Sequence, residues 1–295
     1  MTCVAARPSE DGTGAALLLT GSKDGNARAW SASSAAGGGV TTCALAVMRG
    51  HTEGVAAVAA SPDGQRCATG GWDSSLRLWR IDATAALVAD VWGKRRKKGA
   101  AAAQAEAAAP EAGTLAADAQ LSGHSGAVSA LCWPEAGTLY SGGWDHTLRA
   151  WDVETGACAR HLNDGGSKAV FSLDCRAGAP LLAFCGAERA VRVWDTRADS
   201  TVAQTALASH AGWVAAVRWC PWQETQLISC GHDGTMKVWD LRGAVPLQTS
   251  ALGDAKLLAA DFLRAPPGAG AAARRVCAGG EDARLHIMGA KPLLG

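Results

Sequence analysis

Six times along this 295-residue chain an acidic residue is followed, six positions later, by a bulky side chain. The pairs are Asp24 and Trp30, Asp73 and Trp79, Asp145 and Trp151, Glu188 and Trp194, Asp233 and Trp239, and Asp282 and Met288. Successive acids lie 49, 72, 43, 45 and 49 residues apart, a period in the forties with one insertion. Such a period belongs to repeat architectures, in which each unit is a small supersecondary element that buries its apolar face only against its neighbours.

Inside each unit the apolar spacing is that of short strands. Val55 and Val58, Val128 and Leu131, and Val214 and Val217 open units, and SLRLW and TMKVW alternate apolar and polar positions with period two. The SPDG at 61–64 and the Gly-rich steps TGGWD and SGGWD are turn signals between strands. Short strands, regular turns, and Gly-His near the start of a unit with Trp-Asp at its end select an all-β propeller over a sandwich or barrel.

Composition narrows the function classes. A hydrophobic fraction of 48% against 19% charged residues supports a sizeable core, and a net charge of +1 gives no general attraction to nucleic acid or anionic lipid. The 10 cysteines form no CxxC pair, so neither a zinc site nor a disulfide framework is expected; they read as reduced thiols packed as small hydrophobes. Glu10 and Asp11 fall where a secretory signal would be apolar, and no apolar run is long enough to span a bilayer, so a soluble intracellular protein is expected. Neither a cofactor nor an enzymatic role is expected.

The units GH51…TGGWD73SSLRLW79, GH124…SGGWD145HTLRAWD152 and SH210…SCGHD233GTMKVWD240 resemble the WD40 repeat family. Six repeats are recognisable, at about 1–48, 49–92, 121–162, 163–207, 208–250 and 251–290. The resemblance implies a propeller, and one in which a loop His, a second-strand hydroxyl, the turn Asp and the third-strand Trp form a hydrogen-bonded chain. The sets are His51, Thr69, Asp73 and Trp79; His124, Ser141, Asp145 and Trp151; and His210, Ser229, Asp233 and Trp239. Ser, His and Asp in line look like a hydrolase triad, but a nucleophile is built once, beside its oxyanion hole, whereas this arrangement recurs in three units. The fourth unit has Phe184 and Glu188, the last Ala278, Asp282 and Met288, and neither opens with a His; they are expected to be the softer blades.

The seventh blade that the resemblance implies is not visible, and the chain is expected to lack a first blade upstream. Residues 93–120 form a basic and Ala-rich low-complexity insertion. Its run Lys94, Arg95, Arg96, Lys97 and Lys98 reads as a nuclear-localisation or nucleic-acid patch. That insertion, GGWDHTLRAWDVETG and the stretch HAGWVAAVRWCPWQETQLISCGHDGTMKVWDLRGAVPL resemble the family of WD-repeat subunits of the Pescadillo-containing PeBoW complex. The resemblance implies a scaffold in maturation of large-subunit ribosomal RNA and 60S assembly. It also implies nuclear, nucleolar and nucleoplasmic localisation and docking to Pescadillo-type and Bop-type proteins on pre-60S particles. The ubiquitin-like domain that precedes the propeller in that family, and is engaged there by an ATPase, is not in this sequence.

Of 12 Trp, five at third-strand positions (30, 79, 151, 194, 239) and two closing first strands (133, 219) are expected in the core. Trp72 and Trp144, just before the turn Asp, and Trp213, three after the loop His, are the candidate partner-binding residues on the family's top face, with His232, Glu281 and Lys23 at the position of Trp72 as lesser candidates. The competing functions are a generic signalling or ubiquitin-ligase adaptor, which would use the same surface, and a direct RNA binder, for which near-neutral charge leaves only residues 94–98.

Overall fold

The computed structural model describes residues 3–8, 15–34, 40–81, 113–163, 168–176, 178–198, 205–263 and 275–289. The basic run 94–98 lies outside these residues. Every regular element among them is a β-strand, and none is a helix long and apolar enough to cross a membrane.

Strands are numbered in chain order. The first sheet is β1 (Cys3–Pro8), β2 (Ala15–Gly21), β3 (Asn26–Ser34) and β4 (Val40–Arg49), antiparallel in sequence, with β8 (Gly113–Leu115) added parallel to β4. The second is β5 (Val55–Ala60), β6 (Arg66–Gly71), β7 (Leu76–Arg80) and β9 (Ala119–Leu121). The third is β10 (Val128–Glu135), β11 (Thr138–Gly143), β12 (Thr147–Asp152) and β13 (Cys158–Asn163). The fourth is β14 (Val170–Cys175), β15 (Leu181–Gly186), β16 (Ala190–Asp195) and β17 (Thr205–Ala208). The fifth is β18 (Val214–Trp219), β19 (Gln226–Gly231), β20 (Thr235–Asp240) and β21 (Gln248–Ala251). The sixth has three described strands, β22 (Leu257–Leu263), β23 (Arg275–Gly280) and β24 (Leu285–Gly289).

These are the blades of a WD40 β-propeller fold. The 93–120 tract is not structureless to its end: β8 lies within it and β9 begins in it and ends at Leu121, so the outer strand of the second blade comes from the far end of that tract. Its three residues pair Leu121 with Leu76 and Ala119 with Leu78, too short a run to carry a strand signal of its own.

The chain divides into two compact units, residues 1–139 with 152–157, and residues 140–151 with 158–295. In the first, the core gathers Leu19, Met48, Val55, Cys67 and Trp79. In the second, one cluster joins Cys185, Val191, Val214, Leu227 and Trp239, and another joins Cys230, Met236, Leu257 and Val276.

A small residue three before the turn acid explains much of the packing. A β-carbon on Gly70 would lie 2.7 Å from Val128 Cγ1, and one on Gly142 would lie 2.6 Å from Val170 Cγ1. The first glycine of GGWD is therefore a seat for the leading Val of the following first strand, a sheet-to-sheet contact rather than a turn requirement. Where the position is Cys185 or Cys230, the thiol packs in the same cluster as Val214 or Leu257. That leading residue is also where four of the first strands bulge, after Val55, Val170, Val214 and Leu257.

Candidate functional site

The turn acid works with two oxygens. In five turns one oxygen accepts the backbone N–H two residues on: Asn26 to Asp24 at 3.0 Å, Ser75 to Asp73 at 3.1 Å, Thr147 to Asp145 at 3.2 Å, Thr235 to Asp233 at 3.1 Å and Arg284 to Asp282 at 3.1 Å. This local bond lets the chain reverse in a left-handed step immediately after the acid, with φ of 78° at Gly25, 62° at Ser74, 67° at His146, 66° at Gly234 and 55° at Ala283. His146, the histidine of the GGWDHT stretch, is thus an exposed turn residue; the buried one is His124, 7% exposed.

What the remaining acceptor does separates the blades. In the second blade His51 Nδ1 lies 3.0 Å from both Asp73 oxygens, His51 Nε2 is 2.7 Å from Thr69 Oγ1, and Trp79 Nε1 donates to that oxygen at 2.9 Å. The fifth repeats it: His210 Nδ1 to Asp233 Oδ2 at 2.9 Å, His210 Nε2 to Ser229 Oγ at 2.7 Å, Trp239 Nε1 to Ser229 Oγ at 2.8 Å. Indole N–H only donates and a carboxylate only accepts, so each chain has one direction. The hydroxyl takes the Trp proton and gives its own to His Nε2, and Nδ1–H goes to Asp. That tautomer is the neutral imidazole, in line with burial lowering the pKa of both His51 and His210 against the pull of their aspartates. Burial raises the aspartates, but donors outweigh it: Ser75, His51 and Thr52 hold Asp73 low, and Ala211, Thr235 and His210 hold Asp233 at about 2. Of the third set, Trp151 Nε1 donates to Ser141 Oγ at 2.8 Å and Asp145 accepts from Thr147 Oγ1 at 2.9 Å; His124 belongs to the first unit, the other three to the second.

Blades without the His turn the second oxygen toward the surface, onto the side chain four residues on: Asp24 to Arg28 at 2.9 Å, Glu188 to Arg192 at 2.9 Å and Asp282 to His286 at 2.8 Å. The first blade keeps half of the chain, Trp30 Nε1 to Thr20 Oγ1 at 3.0 Å, and Trp30 is only half-buried. The last has lost both partners, with Ala278 for the hydroxyl and Met288 for the Trp. The fourth lost only one. Phe184 replaces the hydroxyl while Trp194 stays, 1% exposed, so its Nε1–H is buried with no acceptor among the described residues.

The residue before the turn acid faces outward. Trp144 is 45% exposed and Trp213 is 51% exposed, which sets them apart from the buried Trp151, Trp194, Trp219 and Trp239 and the half-buried Trp222 of the second unit. Trp144 meets Phe171 with ring centroids 5.9 Å apart, Phe171 meets Trp213 at 5.9 Å, and Trp213 meets His232 at 5.6 Å. Three of the four are sequence candidates; Phe171 is not, since at the second position of β14 it reads as ordinary core. It is the ring that makes the row continuous, because the position equivalent to Trp144 in its blade is Ala187. In the first unit, Trp72 is 45% exposed and stands beside Lys23, with Gly54 between them: a β-carbon there would meet Lys23 Cα at 3.2 Å and Trp72 Cδ1 at 3.5 Å. Glu281 is held by Lys256 at 3.0 Å.

A repeated sheet with a turn acid, a buried His and a third-strand Trp defines a class, and the sequence comparison agrees. Residues 42–80, 118–152 and 201–240 match the family described as WD domain, G-beta repeat, so the chain carries WD40 repeats. Its curated relatives are narrower. It is 40% identical over 297 residues to a "Ribosome biogenesis protein WDR12 homolog" of Chlamydomonas reinhardtii, covering 97% of this chain and 64% of that protein. It is 33% identical to proteins of the same name from Oryza sativa subsp. japonica, over 92% of this chain and 59% of the relative, and from Arabidopsis thaliana, over 83% and 53%. The chain spans between half and two thirds of the length of these relatives.

Proposed function

We propose that this chain is a non-catalytic docking scaffold in ribosome biogenesis, serving maturation of large-subunit ribosomal RNA and assembly of the 60S subunit. The observation that carries the reading is the row Trp144, Phe171, Trp213 and His232, in which both Trp are exposed and the other two rings half-buried, in a chain whose relatives are named for ribosome biogenesis. Large rigid aromatic side chains dominate interface energies because they bury much area at small entropic cost. The repeated His–Asp–hydroxyl chains serve geometry: each buried polar group satisfies the next, and the turn that presents a ring is held from beneath. In this reading the partners are Pescadillo-type and Bop-type proteins on pre-60S particles. Lys94, Arg95, Arg96, Lys97 and Lys98 direct the chain to the nucleus, where it acts in nucleolus and nucleoplasm.

Affinity purification from the source cells, at moderate and high salt, tests this. Recovery of Pescadillo-type and Bop-type proteins with large-subunit precursor RNA is expected, and loss of the proteins from Trp144→Ala and Trp213→Ala variants that still fold. Recovery of ligase or signalling subunits instead, or full partner retention by both variants, overturns the assignment.

A further inference from the structure

The aromatic row has an electrostatic polarity at its centre. Ala187 N–H donates to Ala169 O at 2.9 Å and Val214 N–H donates to Glu188 O at 3.1 Å. The turn 187–189 is therefore clamped between the start of β14, with Lys168 just before the strand and Phe171 its second residue, and the segment entering β18, which carries Trp213. Lys168 and Arg189 are both exposed, and neither has an ion-pair partner among the described residues.

The acids around them are already engaged. Glu188 holds Arg192. Asp233 takes four donors, from His210 Nδ1, Ala211 N, Thr235 N and Thr235 Oγ1, and with 8% of its side chain exposed it has no acceptor to offer a ligand. Lys168, Glu188 and Arg192 also line a recess with Val170 and Phe184. Among the described residues around the turn 187–189, the charges left without an ion-pair partner are thus two cations, Lys168 and Arg189.

We infer that the Phe171–Trp213 centre of this row seats an acidic, aromatic-bearing peptide segment of a protein partner. Its apolar side chains lie on the rings and its carboxylates face Lys168 and Arg189. This rests on the docking reading above and adds the chemistry of the bound segment. An opposite-charge rim around an apolar anchor gives orientation and on-rate, and like charge at the same place is rejected.

The test is fluorescence anisotropy on the full chain with three fluorescein-labelled heptapeptides, in which phenylalanine alternates with glutamate, glutamine or lysine. The glutamate peptide should bind at least about tenfold more tightly than the lysine peptide and weaken with salt. The Lys168→Glu/Arg189→Glu double variant should lose about tenfold for the glutamate peptide and gain for the lysine one. Failure of the glutamate peptide to bind, equal binding of all three, or a change under twofold on charge reversal overturns the proposal. So does preference for a fluorescein-labelled oligouridine lost in Trp213→Ala, which would make the row a base-stacking surface. The docking reading fails separately: in the purification from cells, Trp144→Ala and Trp213→Ala would then release nothing. If those variants release the partners while Lys168→Glu/Arg189→Glu retains them, docking stands and the acidic segment does not.

Discussion

Replacing Trp239 and Trp194 by phenylalanine, one at a time, isolates the worth of the buried hydrogen-bonded chain. Both rings are at most 1% exposed and both lie in the second unit. Each exchange deletes the same atoms from a sealed site, so transfer and cavity costs cancel to first order in the difference. What remains is the indole N–H. Trp239 Nε1 bonds Ser229 Oγ at 2.8 Å, and Ser229 is fully buried, so Trp239→Phe loses a hydrogen bond worth about 1 kcal/mol. Trp194 Nε1 is buried without an acceptor among the described residues, so Trp194→Phe removes a penalty of about 1–3 kcal/mol carried by the native chain. Against this, loss of part of the Arg160 contact over the Trp194 ring, at 5.7 Å, restores about 0.5 kcal/mol. Trp194→Phe should therefore be milder than Trp239→Phe by about 2 kcal/mol. Urea unfolding followed by far-ultraviolet circular dichroism, with unchanged m-value, reads the difference as a shift in midpoint. Equal costs, or a larger cost at Trp194, would refute the idea that Phe184 leaves its neighbour unsatisfied.

Other expectations follow from the same turns. Asp145→Ala or Asp233→Ala strands buried donors and should cost about 1–3 kcal/mol, whereas Asp282→Ala, whose bonds to Arg284 and His286 lie at the surface, should stay near 0.5 kcal/mol by the same urea measurement. Ala283 occupies a left-handed step at φ 55°, so Ala283→Gly should raise stability by up to about 1 kcal/mol despite glycine's extra unfolded-state freedom. Acidification acts with two signs. His51, His210, Asp73 and Asp233 all have lowered pKa values in the fold, so their contributions are present above the unfolded values and fade as pH falls, the histidines below about 6.5 and the aspartates below about 4. Burial raises Asp174 to about 6, so its ionised form opposes folding above that pH; Asp174→Asn should stabilise by about 1–3 kcal/mol at pH 8, the gain vanishing near pH 4 in thermal melts. Alanine at residues 94–98 should spread a fluorescently tagged chain into the cytosol if the run directs nuclear entry; unchanged nuclear signal counts against it.

The repeat was legible because its markers are chemically unusual: an acid, a turn and a Trp six residues on leave few alternatives once they recur. The network positions were legible for the same reason, since Thr69, Ser229 and their histidines stand at constant offsets from the acid. Phe171 was not, because nothing local distinguishes a first-strand Phe that faces out from one that faces in; a bulge after Val170 lies beside it. The β9 strand was hidden by brevity and by the tract that separates it from β7. GGWD was half read, its first glycine serving the valine of the next sheet instead of the turn.

Asp233 has the presented ring on one side of it in sequence and the left-handed step on the other, with its oxygens bonded to the Thr235 amide two residues on and to the Ala211 amide of the loop before β18. Thermodynamic linkage then follows: a segment that closes over Trp213 and His232 binds only the chain in which Asp233 grips Ala211 and Thr235, and so raises the free energy needed to open that turn by RT ln(1 + [L]/Kd). The Ala211 and Thr235 amides become built-in reporters, and their hydrogen-exchange rates should slow in proportion to occupancy of the row, even when the partner touches neither residue.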